Sequence, residues 1–255
     1  MSLPLAGRGI IVTRPTEQGA TLAQGIREAG GEALIFPAME IAPVTDAALA
    51  ACTARLHAFD AAIFISPNAV RHGLAAVQAQ RDWPPHVKVY ALGPGTAHEL
   101  AQRGFTEIIQ SDGQDTEALL ALPQLNQAAH QRWVIFRGVG GRALLGDTLT
   151  VRGAEVTYAE CYRRVRPECD AQALVQRWGA GQIHAVTINS AETLHNFAHM
   201  LGEAGLPHLR TTPLFAPHEK IAQAARAFGI QQAIATAGGN AGLLAGLITW
   251  FQAHA

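Results

Sequence analysis

Two doubly wound α/β lobes, each a parallel sheet covered by helices and joined across a cleft by a two-stranded β-ladder hinge, form the fold class this sequence predicts. Three observations point to it. Short apolar strands alternate with helical periodicity from end to end, which calls for parallel sheets buried on both faces. About ten such strands are too many for one small sheet. An extended stretch at residues 38–44 recurs at residues 160–166, at the same point of a second half that repeats strand, helix and strand, a weak internal duplication. The predicted lobes are residues 1–38 plus 166–255 and residues 42–162, with hinge strands near 38–44 and 160–166.

In chain order, Ile10 to Val12 read as a strand, and Glu17 to Ala29 as a helix with Leu22 and Ile26 on one side, stopped by Gly30 and Gly31. Ala33 to Phe36 form a strand, Ala38 to Val44 the first hinge stretch, and Asp46 to Leu56 a helix. A strand at Ala61 to Ile65, a helix at Asn68 to Ala79 and a loop with Trp83, Pro84 and Pro85 follow. Val87 to Leu92 then run through Gly93, Pro94, Gly95 and Thr96 into a helix at Ala97 to Gly104, with a short strand near Glu107 to Ile109. Ser111, Asp112, Gly113 and Gln114 make a polar turn before a capped helix from Thr116 to Leu122, and Asn126 to Gln131 carry little pattern. The second half reads as strand Trp133 to Phe136, helix Arg142 to Arg152, strand Glu155 to Tyr158, then the second hinge stretch, Glu160 to Arg166. Helix Cys169 to Trp178, strand Ala185 to Ile188, helix Ala191 to Leu201, strand Leu214 to Phe215, helix Glu219 to Phe228, strand Gln232 to Ala235 and a buried helix Ala241 to Phe251 complete it.

Six strand-to-helix junctions share one composition, with Ser, Thr, Asn, Arg and Gly at the carboxyl end of the strand. They fall at Thr13 and Arg14, at Ser66 and Asn68, at Gly93 and Thr96, at Arg137 to Arg142, at Ser190 and Ala191, and at Pro217 and His218. Open parallel sheets bind ligands at that edge. Small residues let a ligand approach the backbone, and the first amides of each helix have no intrahelical partner, so such places suit anions.

Composition narrows the function. The chain has 255 residues, 49% of them hydrophobic and only 15% charged, with a net charge of -1. It carries a large core but no basic footprint for nucleic acid and no polybasic membrane signal. The positive charge is nearly all arginine, since Lys88 and Lys220 are the only lysines, and arginine suits carboxylate or phosphate, although a high-GC genome also biases sequences this way. Cys52, Cys161 and Cys169 form no CxxC pair and suggest a reduced cytoplasm. Residues 1–9 lack a secretory pattern, and the longest apolar run, Ala241 to Phe251, is too short to cross a bilayer.

Individual motifs have plain and functional readings. Arg137, Gly138, Gly140, Gly141 and Arg142 sit in R-G-V-G-G-R, which is neither GxGxxG nor a P-loop. An anion site fits it better, with backbone donors and two guanidinium groups converging on a carboxylate. His195 and His199 stand four apart on a helix without an acidic or cysteine partner, and read as solvent-facing. Ser66 and Ser190 lack GxSxG surroundings and read as helix caps that are also free to touch a ligand. Tyr162, in C-Y-R-R, is either packed on the ribbon or a proton donor to a leaving group.

Taken together, V-T-R-P at Val12, G-G-E-A-L-I-F-P-A-M-E-I at Gly30, F-I-S-P-N-A-V at Phe64, A-L-G-P-G-T-A at Ala91, F-R-G-V-G-G-R at Phe136, R-G-A-E-V-T-Y-A-E-C-Y-R-R at Arg152 and I-N-S-A-E-T-L at Ile188 resemble the uroporphyrinogen-III synthase family over nearly the whole chain. The resemblance implies two flavodoxin-like lobes with the chain crossing twice, and a hydro-lyase that closes linear hydroxymethylbilane to uroporphyrinogen III with loss of water and inversion of the last pyrrole ring. It implies no metal or organic cofactor, a monomer in the cytoplasm, and at most transient contact with the preceding enzyme of the pathway. Tyr162 aligns with the family tyrosine suggested as proton donor. Ser66, Thr96 and Ser190 match family cleft positions, with Arg14, Arg137 and Arg142 as charge partners and Thr13, Asn68, Gly93, Gly138, Gly140, Gly141 and Ala191 beside them. L-F-A-P-H-E-K departs from the family's small hydroxyl after proline, placing His218 there. The alternatives are a catalytically silent two-lobed protein binding a polycarboxylate or another small anion and, more distantly, a nucleotide-dependent transferase.

Overall fold

The computed structural model describes residues 3–111, 113 and 115–254. Of the polar turn expected at Ser111 to Gln114, Asp112 and Gln114 lie outside the described residues. The chain divides into two compact units, residues 1–40 with 165–255, and residues 41–164.

The first unit holds β1 (Gly9–Val12), α1 (Thr16–Glu28), β2 (Glu32–Ile35), and later α8 (Gln172–Gly179), β9 (Ala185–Thr187), α9 (Ala191–Thr211), β10 (Leu214–Ala216), α10 (Glu219–Phe228), β11 (Ala233–Ala235) and α11 (Gly239–Ala253). Its sheet runs β2-β1-β9-β10-β11 and every pair is parallel. Renumbered within the unit, that is the doubly wound order 2-1-3-4-5, which reverses between β1 and β9. The three central strands, β1, β9 and β10, bury both faces. Ile10, Val12 and Phe215 pack with Leu22 and Ile26 of α1 and Leu247 of α11. Ile11, Val186 and Leu214 point the other way, to Trp178 of α8, Phe197 of α9 and Ala222 of α10.

The second unit holds β3 (Glu40–Pro43), α2 (Ala47–Ala54), a 3₁₀ turn (Leu56–Ala58), β4 (Ala61–Phe64), α3 (Pro67–Gln78), β5 (Lys88–Ala91), α4 (Pro94–Gln102), β6 (Ile108–Gln110), α5 (Thr116–Leu120), α6 (Pro123–Asn126), β7 (Arg132–Gly138), α7 (Leu144–Val151) and β8 (Glu155–Val165). Strand order is β3-β8-β7-β4-β5-β6. Leaving β3 aside, this is the same doubly wound order with its sequence start moved, and it reverses between β7 and β4. Phe64, Phe136 and Val89 face α2, α3 and α4, while Ile63, Ile135 and Trp133 face α5, α6 and α7.

Several expectations need correction. The two extended stretches do pair with each other, β3 against β8, and the Val44 amide donates to the Cys161 carbonyl at 3.1 Å, but the pair is the edge of the six-stranded sheet. β8 is one strand of 11 residues, where a strand ending at Tyr158 and a separate stretch were expected. The helix after the glycine loop starts at Leu144, so Arg142 is still in the loop. α9 continues past Leu201 in a second segment after Gly202, whose φ of 61° breaks the helix. Residues 123–126, at the edge of the unpatterned stretch, form the short helix α6.

Candidate active site

Register decides which junction residues share a level. In the second unit Phe64 pairs with both Ala91 and Phe136, so two residues further on Ser66, Gly93 and Gly138 leave the sheet in one row. In the first unit Val12 and Phe215 both pair with Thr187, which sets Arg14, Asn189 and Pro217 in a row. Parallel pairing thus gathers three of the predicted junctions on the carboxyl edge of each unit.

At the reversal point of the second unit, Ser66 caps α3, its Oγ accepting the Ala69 amide at 3.1 Å with Pro67 at the first helical position. The same Oγ lies 3.2 Å from the Tyr162 hydroxyl, contributed from 96 residues away. What aims Tyr162 is an irregularity in the β7–β8 pairing. Arg137 pairs with Glu160 but Gly138 pairs with Tyr162, leaving Cys161 as an extra residue. A bulge of this kind re-aims side chains, and here two consecutive residues, Cys161 and Tyr162, are both buried. The Cys161 thiol donates to the carbonyls of Arg137 at 3.5 Å and Ala69 at 3.6 Å, tying the bulge to α3. Burial pushes that thiol up to about 12. Gly138 completes the fit, since a Cβ there would stand 2.7 Å from the Tyr162 ring. The ring is 5% exposed and tilted against His72 at 5.9 Å. Tyr162 is therefore packed and also offers its hydroxyl beside a helix N-terminus.

Ser66 and Thr96 line one hollow of about 250 Å³, together with Ile65, Pro67, Leu92, Gly93, Pro94 and Gly95. Gly93, at φ 80°, makes the turn that a side chain would strain. Thr96 is buried and its hydroxyl donates to the Leu92 carbonyl at 2.9 Å, so at this junction the backbone, not the hydroxyl, is left for a ligand. The Asn68 side-chain oxygen accepts from Arg71 at 3.4 Å.

The glycine loop differs from its expectation. Arg137 is 8% exposed, pairs with Glu160 at 3.2 Å, lies 4.3 Å over the Tyr158 ring and donates to the Arg142 carbonyl at 3.5 Å. Its guanidinium fastens the loop from within. Gly140 turns at φ 72° and the Gly141 backbone lies against the Arg137 Nε, while the Arg142 side chain is exposed. Arg137 is thus engaged within the loop, while Arg142 is open to solvent.

In the first unit Thr13 is buried and donates to the Thr187 carbonyl at 2.7 Å, locking β1 to β9 at the reversal point. Ser190 caps α9 through the Thr193 amide at 3.0 Å, and the Thr193 hydroxyl joins Ser190 and the Asn189 side chain. Ala191 opens that helix. His218 is exposed at the start of α10 with no side-chain cap, against Gly238. Arg14 donates to Asn240 Oδ1 at 2.6 Å and its Nε is buried without a partner. Burial pushes its guanidinium below the usual arginine value.

Sequence reading missed Asn240, the bulge at Cys161 and the Ser66–Tyr162 contact. Only the first had a signal: T-A-G-G-N at Thr236 has the composition of the other junctions. His195 and His199 are exposed, His195 lying against Phe228. Among the described residues no group of three or more metal-ligating side chains is gathered, and no helix is long and apolar enough to cross a membrane.

A family model described as uroporphyrinogen-III synthase HemD matches residues 20–245. A uroporphyrinogen-III synthase of Escherichia coli strain K12 is 35% identical over 226 residues, covering 87% of this chain and 92% of that protein. The fold is similar to that of a mutant uroporphyrinogen III synthase from the extreme thermophile Thermus thermophilus, with TM-score 0.59 and 17% identity over 96% of this chain and 98% of that one. It is also similar to uroporphyrinogen-III synthetase from Helicobacter pylori 26695, with TM-score 0.61 and 15% identity over 95% and 99% of the two chains.

Proposed function

The chain belongs to the uroporphyrinogen-III synthase family, and from that premise we propose that it is a hydro-lyase converting hydroxymethylbilane to uroporphyrinogen III and water, with Tyr162 as the proton donor. The observation that carries the assignment of Tyr162 is its hydroxyl, 3.2 Å from Ser66 Oγ at the reversal point of the second unit's sheet. Ligands of open α/β sheets bind at such points.

The substrate is a flexible polyanion with acetate and propionate arms. Helix amides at the strand-end junctions engage those arms, which accounts for how a chain of net charge -1 holds an acid-rich molecule. Tyr162 passes its proton to the terminal hydroxyl as the pyrrole nitrogen pushes it out, and water leaves. The last ring then attacks through its substituted carbon, the spiro intermediate reopens, and reclosure inverts the ring. The proton released as the new pyrrole regains aromaticity returns to the phenolate, so the cycle balances. Closure without inversion needs no enzyme, so holding the folded substrate is the larger part of the task. Ser66 accepts or donates a hydrogen bond to keep the phenol aimed. The chain acts as a monomer in the cytoplasm, meeting the preceding enzyme only transiently. Arg137 supports the loop, and Arg142 meets a carboxylate from outside it.

Incubation with hydroxymethylbilane followed by isomer analysis tests this reading. The type III isomer is expected in place of type I. A wild-type protein that leaves only type I, at the unaided rate, refutes it and favours a binding protein without activity.

A further inference from the structure

Arg14 and Asn240 stand 226 positions apart in sequence and meet at the carboxyl edge of the first unit. We propose that Asn240 is a positioning residue that aims Arg14 at a carboxylate of the ligand while leaving its charge unspent.

Four features carry this inference, which rests on the proposed function. First, Arg14 follows β1 directly at the reversal point and pairs with no carboxylate among the described residues. Second, its Nε is sealed from solvent without a partner. A charge held partly buried and uncompensated is costly unless something negative visits it. Third, Asn240 is itself fixed. Its Nδ2 donates to the Gln18 carbonyl at 3.2 Å, so its Oδ1 faces Arg14, at 2.6 Å. Fourth, the residue type matters. An aspartate in the same place would hold the guanidinium equally well but neutralise it, whereas an amide orients without cancelling the charge. Asn240 lies in the first turn of α11, after Gly238 and Gly239, where its side chain caps nothing.

The test is a set of three variants, Asn240→Asp, Arg14→Gln and a double variant that combines Arg14→Gln with Asn240→Ala, read in two ways. In the assay with hydroxymethylbilane, Asn240→Asp and Arg14→Gln should each raise KM about tenfold with kcat within about twofold, the pattern of a lost charge-assisted contact made equally in ground and transition states. The double variant should be no worse than Arg14→Gln alone, because the Asn240 amide acts only through Arg14. Binding of uroporphyrin III, the oxidised polycarboxylate form of the product, followed by fluorescence, should weaken by the same factor. Thermal melting identifies any variant that fails to fold, and Arg14→Gln then carries the decision alone. Wild-type KM and wild-type uroporphyrin affinity in Arg14→Gln, or additive losses in the double variant, overturn the proposal. The binding arm does not need turnover. A wild-type chain that makes no type III isomer, with the tenfold binding losses still found in the variants, refutes the synthase reading and keeps the Arg14 site.

Discussion

Single residues set the chemistry of the second unit through contacts a few ångströms long. Ser66 serves two partners at once, the Ala69 amide and the Tyr162 hydroxyl. Ser66→Ala should therefore lose about 1 kcal/mol of helix capping and lower turnover by less than loss of the Tyr162 hydroxyl, because backbone amides retain much of the binding. A urea titration together with initial rates checks both. The thiols divide in the same local way. Burial pushes Cys161 to about 12 and Cys52 to about 11, and both lie inside the second unit's core, while Cys169 is exposed. A thiol reagent at neutral pH should modify Cys169 alone in the native protein and all three in denaturant. Rapid modification of Cys161 in the folded state would contradict the bulge geometry that aims Tyr162.

Elements carry a different lesson, about what an unaligned sequence reveals. Strand-to-helix junctions were legible because strands are short apolar runs and helices start with Ser, Asn, Pro or Gly, signals contained within a few residues. The capping of α3 by Ser66 and of α9 by Ser190 follows from such local chemistry. Illegible features depend on partners far along the chain. The sequence reads a strand ending at Tyr158 and a separate stretch from Glu160, yet β8 runs through both alongside β7, where Arg137 pairs with the Glu160 carboxylate. The Cys161 bulge is a property of the pairing, not of either strand. Asn240 escaped because its partner, Arg14, stands 226 positions away.

An element-scale prediction concerns the opposite end of the first sheet. There the Gly9 amide donates to His184 Nδ1 at 3.0 Å, tying the start of β1 to the residue before β9. Burial, then the nearby Arg8, pushes the imidazole below its ordinary value. As pH falls the unfolded chain takes up this proton first, at about 6.5, so the contribution is fully present above that pH. It is lost as pH falls toward the lower folded value. The stability gap between wild type and His184→Gln, from urea midpoints, should narrow between pH 7.5 and 5.5. A gap that stays constant would show that the imidazole does not titrate there.

At the scale of the whole molecule, one doubly wound plan occurs twice. In the first unit the order 2-1-3-4-5 is assembled from two sequence segments. In the second it comes from one segment whose start is moved. Sequence periodicity indicated the repeated strand, helix and strand, but not the strand orders, which need pairing partners. With both sheets parallel, each unit presents its helix N-termini on one edge, as the proposed binding of an acidic substrate requires. The role proposed for Tyr162 would make the chemistry asymmetric, because among the described residues a tyrosine is seated by a bulge at the reversal point of the second unit alone.

Tyr162→Phe tests that assignment most directly. The variant removes one oxygen from a packed ring, so its melting temperature should stay within a few degrees of wild type. Its rate of type III formation from hydroxymethylbilane should fall about a hundredfold, within the range for a lost general acid, with type I rising in the product as unaided closure catches up. A folded Tyr162→Phe protein that makes pure type III isomer at the wild-type rate would contradict the account.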